Sequence, residues 1–241
     1  MVMVRGVILD VDGTLVDSNG PHAETWAVAA RELGFNVFVE DARKWIGMGS
    51  DLLIPKLVGV SAASEMGRKL KARKSEIFRS EYVRHLEPFA ESRRFVEQLL
   101  EDGHRVAVAS SARAADTEML LEIADVADLV PDEMRVSGNE ISVSKPHPHA
   151  VLAAVERLEL KPREIVMIGD TPYDIEAAGK AGVDVIALRS GGWSDRDLRG
   201  ALHIFDDVAE LLANYDLTEL KPGVHRGRHP HIKDRHPHTP R

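Results

Sequence analysis

No cysteine occurs among the 241 residues. Disulfides and thiolate chemistry are thereby excluded, and a reducing cytoplasm is the expected setting. No run approaches the roughly 20 apolar residues that a membrane-spanning helix needs. The apolar stretch at 1–9 is too short for the hydrophobic part of a secretion signal. An excess of positive charge is lacking too: 31 basic residues face 39 acidic ones, a net charge of −8. Broad binding to nucleic acid or to an anionic membrane is therefore not expected. No internal repeat of solenoid or propeller period is present.

What is present suits a folded, core-forming chain, with 44% apolar and 29% charged residues. Short apolar runs at 4–9, 106–109, 165–168 and 183–188, and a weaker one at 203–205, read as buried strands. Their near-continuous apolar content is what a parallel sheet covered on both faces demands. Helical patterns separate them. At 92–101, Phe95, Val96, Leu99 and Leu100 share a stripe that stops at Gly103. Further helices are expected at 115–123, 148–158, 174–181 and 208–215. This alternation predicts a doubly wound, Rossmann-like parallel α/β sheet.

One interval breaks the pattern. Between residues 14 and 106 there is no strand signal, although a crossover needs only a dozen or so residues. Ala23, Trp26, Ala27, Ala30 and Leu33 recur with helical period instead, and Met66, Leu70, Ile77 and Phe78 mark a second, basic helix. An inserted α-helical cap domain is expected at 17–87, with the sheet domain formed from 1–16 and 88–216. The insert leaves and rejoins near the carboxyl end of the first strand, where open α/β sheets bind ligands. Residues 217–241 are expected to be a disordered tail; 221–241 hold five histidines and almost nothing apolar.

The chemistry begins directly behind the first strand, at Asp10-Val11-Asp12-Gly13-Thr14. Two carboxylates two residues apart converge if the backbone stays extended between them. Their repulsion is relieved by a metal ion, or by one acid staying protonated beside an ionised nucleophile. Ser110 follows the second apolar run, Asp170 follows the run at 165–169, Asp174 comes four residues later, and Lys145 opens Lys145-Pro146-His147-Pro148. Each has a purely structural reading: Asp174 as a helix cap, Ser110 as another, Asp170-Thr171 as a turn, Lys145 as a solvated residue. In a parallel sheet, however, all these strand ends face one edge.

These residues resemble the four ordered motifs of the haloacid dehalogenase-like hydrolase superfamily, and the helical insert resembles the cap of its phosphoglycolate-phosphatase and β-phosphoglucomutase branch. The resemblance covers roughly residues 1–215. It implies a phosphatase for a small phosphorylated metabolite, in which Asp10 attacks phosphorus and Asp12, protonated, serves the leaving oxygen and then the attacking water. It implies Mg²⁺ held by Asp10, Asp170 and the carbonyl of Asp12, with Asp174 completing the shell. Lys145 would neutralise the phosphoryl group, and Thr14, Ser110 and Ser111 lie where its oxygens would be bound. A halide leaving group needs no proton, so an acid at Asp12 favours phosphate transfer. From the cap, His22, Arg43 and Gly47 are the candidate substrate contacts, with Lys44 as an alternative to Arg43 and Gly49 completing a tight turn. Lys69, Lys71, Arg73 and Lys74 are expected on a solvated face, and Trp193 in packing. His147 and His149 stand where relatives often have Asp. A β-phosphoglucomutase-like sugar phosphomutase, or a non-catalytic metabolite-binding protein on the same fold, are the competing readings.

Overall fold

This computed structural model describes residues 3–224. Six strands form one sheet: β1 (Gly6–Leu9), β2 (Arg105–Ala109), β3 (Arg135–Val136), β4 (Ile165–Gly169), β5 (Asp184–Leu188) and β6 (His203–Phe205). Their spatial order is β3-β2-β1-β4-β5-β6, and every pairing is parallel. Because side chains alternate across a strand, β1 sends Val7 and Leu9 to one face and Ile8 to the other. The first face packs against Phe95, Val96 and Leu99. The second is lined by Ala107 and Ala109, small enough to let Ala150, Val151 and Ala154 lie close. Both faces are covered, as the apolar runs required.

Register positions the chemistry. Leu9 stands opposite Val108 on one side and Ile168 on the other. The residues just beyond, Asp10, Ser110 and Asp170, therefore emerge close together at one edge of the sheet. The Asp10 amide still donates to Ile168 O at 2.9 Å, and the Ser110 amide to Val136 O at 3.0 Å.

Nine α-helices accompany the strands among the described residues. Between β1 and β2 come α1 (Asn19–Glu32), α2 (Val39–Arg43), α3 (Ser50–Val58), α4 (Glu65–Ile77) and α5 (Ser92–Glu101). Around the remaining strands lie α6 (Ala114–Ile123), α7 (His149–Leu158), α8 (Pro172–Ala181) and α9 (Val208–Ala213). Helices α1–α4 form an insert with an apolar cluster of its own, built on Ala23, Trp26, Ala27, Ala30, Leu53, Ile54, Leu70 and Ile77. The insert is tied to the sheet domain where it leaves and returns. The Asp17 amide donates to Glu87 O at 3.0 Å and the Phe89 amide to Leu15 O at 2.9 Å.

The sequence patterns at 23–33 and 66–78 correspond to α1 and α4, but α2, α3 and the two-residue β3 carried no pattern long enough to read. The tail expectation is corrected in part. Residues 217–224 are described and belong to the fold, because Leu220 is fully buried in the main cluster and its carbonyl accepts from His104 Nε2 at 2.6 Å. A lone leucine beside polar residues gave no periodic signal. Residues 225–241, with all five tail histidines, lie outside the described residues. Among the described residues no helix is long and apolar enough to cross a membrane.

Candidate active site

At the carboxyl edge of the sheet, Asp10, Lys145, Asp170 and Asp174 are each at most 3% exposed. Lys145 is the hub: its Nζ lies 2.8 Å from Asp10 Oδ1 and 2.7 Å from Asp174 Oδ1. This corrects the solvated reading of Lys145, because an ammonium so deep persists only when paired. Thr171, not Asp174, is the N-cap of α8, and Asp174 is its partner three residues on. Its Oδ2 accepts the Thr171 amide at 3.0 Å and the Thr171 hydroxyl at 2.6 Å, a reciprocal cap on α8, while Oδ1 faces Lys145. Asp170 accepts from Thr14 Oγ1 at 3.1 Å and from Asn19 Nδ2 at 2.7 Å. Glycine makes the space. A Cβ on Gly13 (φ +73°) or on Gly191 would stand 2.2 Å from Asp170 Oδ2.

Burial pushes Asp10 up to about 7, with Lys145 opposing and Asp174 adding to the shift. Asp170 is raised well above the carboxylate range by burial, then by Asp174 and Asp10. Burial disfavours the Lys145 charge, but Asp10 and Asp174 outweigh it and hold the ammonium firmly protonated. Three carboxylates around one cation leave negative charge uncompensated. One oxygen from each of Asp10, Asp170 and Asp174 lies within 4.8 Å of the others, and Asn19 Oδ1 is buried beside them without a partner. Such an all-oxygen, electron-rich set fits a hard divalent cation. The Asp12 carboxylate is not part of this set, leaving only its carbonyl for the ligand role expected of that residue.

The Asp12 carboxylate turns toward the insert. Its Oδ1 accepts from Ser18 Oγ at 2.5 Å and bonds His22 Nε2 at 2.8 Å. Beyond it, His22 Nδ1 meets Lys74 Nζ at 2.7 Å. The His22 ring stacks on Phe78 with centroids 4.1 Å apart, and Lys74 Nζ lies 4.4 Å from the Phe78 centroid. Burial alone would raise Asp12, yet the His22 charge and the hydrogen bonds from His22 and Ser18 carry it down to about 2. These contacts favour the carboxylate form of Asp12 in the resting site. Burial and then Lys74 lower the His22 pKa below its ordinary value while Asp12 opposes them, and burial lowers Lys74 to about 8.

Lys74 is a second correction, for it faces the pocket. Of the four basic residues expected on a solvated face, Lys69 pairs with Glu65 and Arg73 with Glu32 on the outside. Lys71 and Lys74 line the cavity, with Arg79 and Arg113. Arg79 and Arg113 grip Asp116 at 2.7 and 3.0 Å, and Arg113 Nη2 is buried with no partner. The cavity, about 130 Å³, also takes in Asp10, Asp12, His22, Lys145 and the turn around Gly47, room for a small molecule.

The other expected site residues divide. Ser111 lines the cavity, whereas Ser110 is buried and its hydroxyl accepts the Ala112 amide at 3.0 Å. Thr14 orients Asp170 and does not line the cavity. Gly47 lines it, with φ +100° and Thr171 Cγ2 only 2.7 Å from where a Cβ would be. Arg43 does not: it ends α2 on the exposed surface, because the turn at 44–49 presents Ile46, Gly47 and Met48 inward instead. Lys44 is likewise exposed, and His147 and His149 stack on each other outside the cavity lining. Trp193 packs edge-on against Tyr173, as expected. Asn19 and Arg113 were missed; on sequence alone they are a helix-start residue and a surface arginine.

Known proteins resemble this chain in sequence and in fold. The family model described as haloacid dehalogenase-like hydrolase matches residues 7–188. The phosphoglycolate phosphatase of Yersinia pseudotuberculosis serotype I is 30% identical over 226 residues, covering 90% of this chain and 96% of the relative. A hydrolase from Pseudomonas syringae superposes with a TM-score of 0.82 at 23% identity, over 88% of this chain and 98% of the other. The β-phosphoglucomutase of Clostridium difficile superposes with a TM-score of 0.74 at 17% identity, over 90% of this chain and 97% of the other.

Proposed function

This chain belongs to the haloacid dehalogenase-like hydrolase family, and from that premise we propose that it is a Mg²⁺-dependent phosphatase of small phosphorylated metabolites, working through a phosphoryl group carried on Asp10. One observation supports the reading: three buried carboxylates gather around Lys145, and Asp10 and Lys145 of that cluster line a cavity that Lys71, Lys74, Arg79 and Arg113 also line. Phosphate monoesters hydrolyse very slowly in water, so catalysis must come from positioning and charge stabilisation.

An Asp10 oxygen attacks phosphorus and the bond to the ester oxygen breaks, leaving an acyl phosphate on Asp10. Asp12 gives a proton to the departing oxygen and takes one back from the water that attacks phosphorus next, which releases inorganic phosphate and restores Asp10. The resting Asp12 carboxylate is the form the second step needs. Arrival of a phosphate dianion beside it raises its proton affinity, so that Asp12 takes up a proton from solvent as the ester binds and holds it for the first step. His22 and Ser18 orient Asp12, and Lys145 offsets charge on Asp10 and on the transferred group. Asp10, Asp170 and Asp174, with the Asp12 carbonyl, would hold Mg²⁺, which when bound neutralises phosphoryl charge.

The Yersinia relative is a phosphoglycolate phosphatase, so 2-phosphoglycolate heads the panel to be tried, followed by phosphorylated sugars. Inorganic phosphate should be released from an activated aryl phosphate and from at least one metabolite with Mg²⁺, and release should stop on chelation. Interconversion of sugar phosphate isomers primed by a bisphosphate, without release, would point to a mutase. No reaction with any ester would remove the enzyme reading.

A further inference from the structure

One short stretch of the insert, residues 44–51, touches three of the loops that carry site residues. The Ser111 hydroxyl donates to Gly47 O at 3.4 Å, beside Ser110. Tyr173, next to Asp174, donates its hydroxyl to Lys44 O. The third contact is the most elaborate, and it falls on the residue before Lys145. The Ser144 amide donates to Asp51 Oδ2 at 3.1 Å, its hydroxyl donates to Asp51 Oδ1 at 2.6 Å, and the same hydroxyl accepts the Gly49 amide at 3.0 Å. The Ser144 carbonyl accepts the His147 amide at 3.0 Å, so every polar group of this buried residue is engaged. A Cβ on Gly49 would stand 2.5 Å from Ser144 Cβ; insert and sheet domain meet as closely as backbone allows.

We infer that Asp51 is a positioning residue for phosphoryl transfer: from the insert, it fixes the backbone from which Lys145 reaches between Asp10 and Asp174. The inference rests on the phosphatase reading above. Ser144 spends both its amide and its hydroxyl on the insert and neither on the sheet domain. A lysine side chain is long and flexible, so its ammonium is held no better than the main chain at its root. Here that ammonium must meet two carboxylates at once, at 2.8 and 2.7 Å. A charge-assisted, two-toothed grip by a carboxylate is stronger than a neutral hydrogen bond and fixes direction as well as distance. Because Asp51 belongs to the insert, the root of Lys145 is complete only when the insert is seated on the sheet domain. Seating and charge placement are thereby one event.

The test compares the wild type with Asp51→Ala, Asp51→Asn and Ser144→Ala in hydrolysis of an activated aryl phosphate with Mg²⁺. Misplacement by an ångström is felt strongly in such sites, so Asp51→Ala should lower kcat about tenfold while KM stays within about twofold. Asp51→Asn, whose amide oxygen still accepts one bond, should fall between. Ser144→Ala should mimic Asp51→Ala, and the double variant should be no worse than the poorer single one. Unchanged kcat, or a loss confined to KM, would overturn the inference, the second result making Asp51 a latch for the insert and nothing more.

A second readout needs no turnover. Reductive methylation with formaldehyde, followed by peptide mass analysis, measures how reachable Lys145 is, with exposed Lys69 as the internal standard. Methylation of Lys145 should rise about fivefold or more in Asp51→Ala, since opening of a buried site gates the reaction. Equal labelling in the two proteins would refute the positioning role. Raised labelling in a chain that hydrolyses no ester would keep that role and remove the phosphatase reading.

Discussion

Where the sheet domain lines the pocket it presents Asp10, with Asp170 and Asp174 behind it, gathered around a single lysine. Where the helical insert lines it, Lys71, Lys74 and Arg79 look in, joined by Arg113 from the start of α6. The two sides carry opposite charge and are built by different means. The acidic side depends on strand ends in register, with Asp170 pinned by hydrogen bonds from Thr14 and Asn19, Asp174 by Thr171, and Asp10 by its pairing with Lys145. On the basic side a helix face supplies the cations, and its position depends on how the insert rests on the sheet. A ligand with a phosphoryl group toward the acidic side, and its charge met by a divalent cation there, finds attraction on both.

The largest break in this comparison is expected at Asp10. Asp10→Asn keeps the size and shape of the side chain and removes the proposed nucleophile, so turnover should fall by about a thousandfold or more in a phosphate-release assay. Residual activity near the wild-type level would mean that water attacks phosphorus without Asp10.

An intermediate effect separates the two faces of α4. Lys74→Met removes the cation that meets His22, and through it Asp12; kcat should drop about tenfold, the scale on which a proton-transfer partner is felt. Lys69→Met, five residues away on the outer face, should leave kcat and KM unchanged. Equal effects of the two variants would erase the distinction between pocket and solvent faces.

The smallest effect lies at the opposite end of the sheet, where charge is avoided rather than collected. Burial lowers the His104 pKa from its ordinary value of 6.5, despite the bond to Leu220 O that raises it. A group with a depressed folded pKa binds its proton more readily when unfolded. Its contribution is therefore intact above pH 6.5 and lost as pH falls below that. His104→Gln, which still donates to Leu220 O, should make thermal stability less sensitive to pH between 7 and 5, as read from melting curves. An unchanged pH slope would assign that sensitivity to other groups.

The acidic side was legible in the sequence because a strand end is a sharp feature. Asp10, Asp170 and Lys145 each follow or precede an apolar run or a proline, and parallel topology leaves those ends one edge to share. Most of the sheet was legible for the same reason, except β3, whose two residues make no pattern. The basic side was harder. Helical periodicity says that one face of α4 is apolar, but a lysine on that face looks like a neighbour of it. Lys74 sits four residues after Leu70 and four before Phe78, on the stripe itself, and that spacing was the available sign. Arg43 misled for the converse reason: its charge was visible, while the turn that leaves it outside depends on Gly47 and Gly49 packing against Thr171 and Ser144. The grip of Asp51 on Ser144 joins residues 93 positions apart, beyond the reach of any local pattern.

The proposed chemistry turns on a covalent step at a single carboxylate. Acid quench during steady hydrolysis of an aryl phosphate with Mg²⁺, followed by borohydride, reduces an acyl phosphate to an alcohol that peptide mass analysis can locate. The reduced residue should be Asp10 and no other, and it should be absent when the metal is chelated. Steady release of phosphate with Asp10 left unreduced at every quench time would contradict the account.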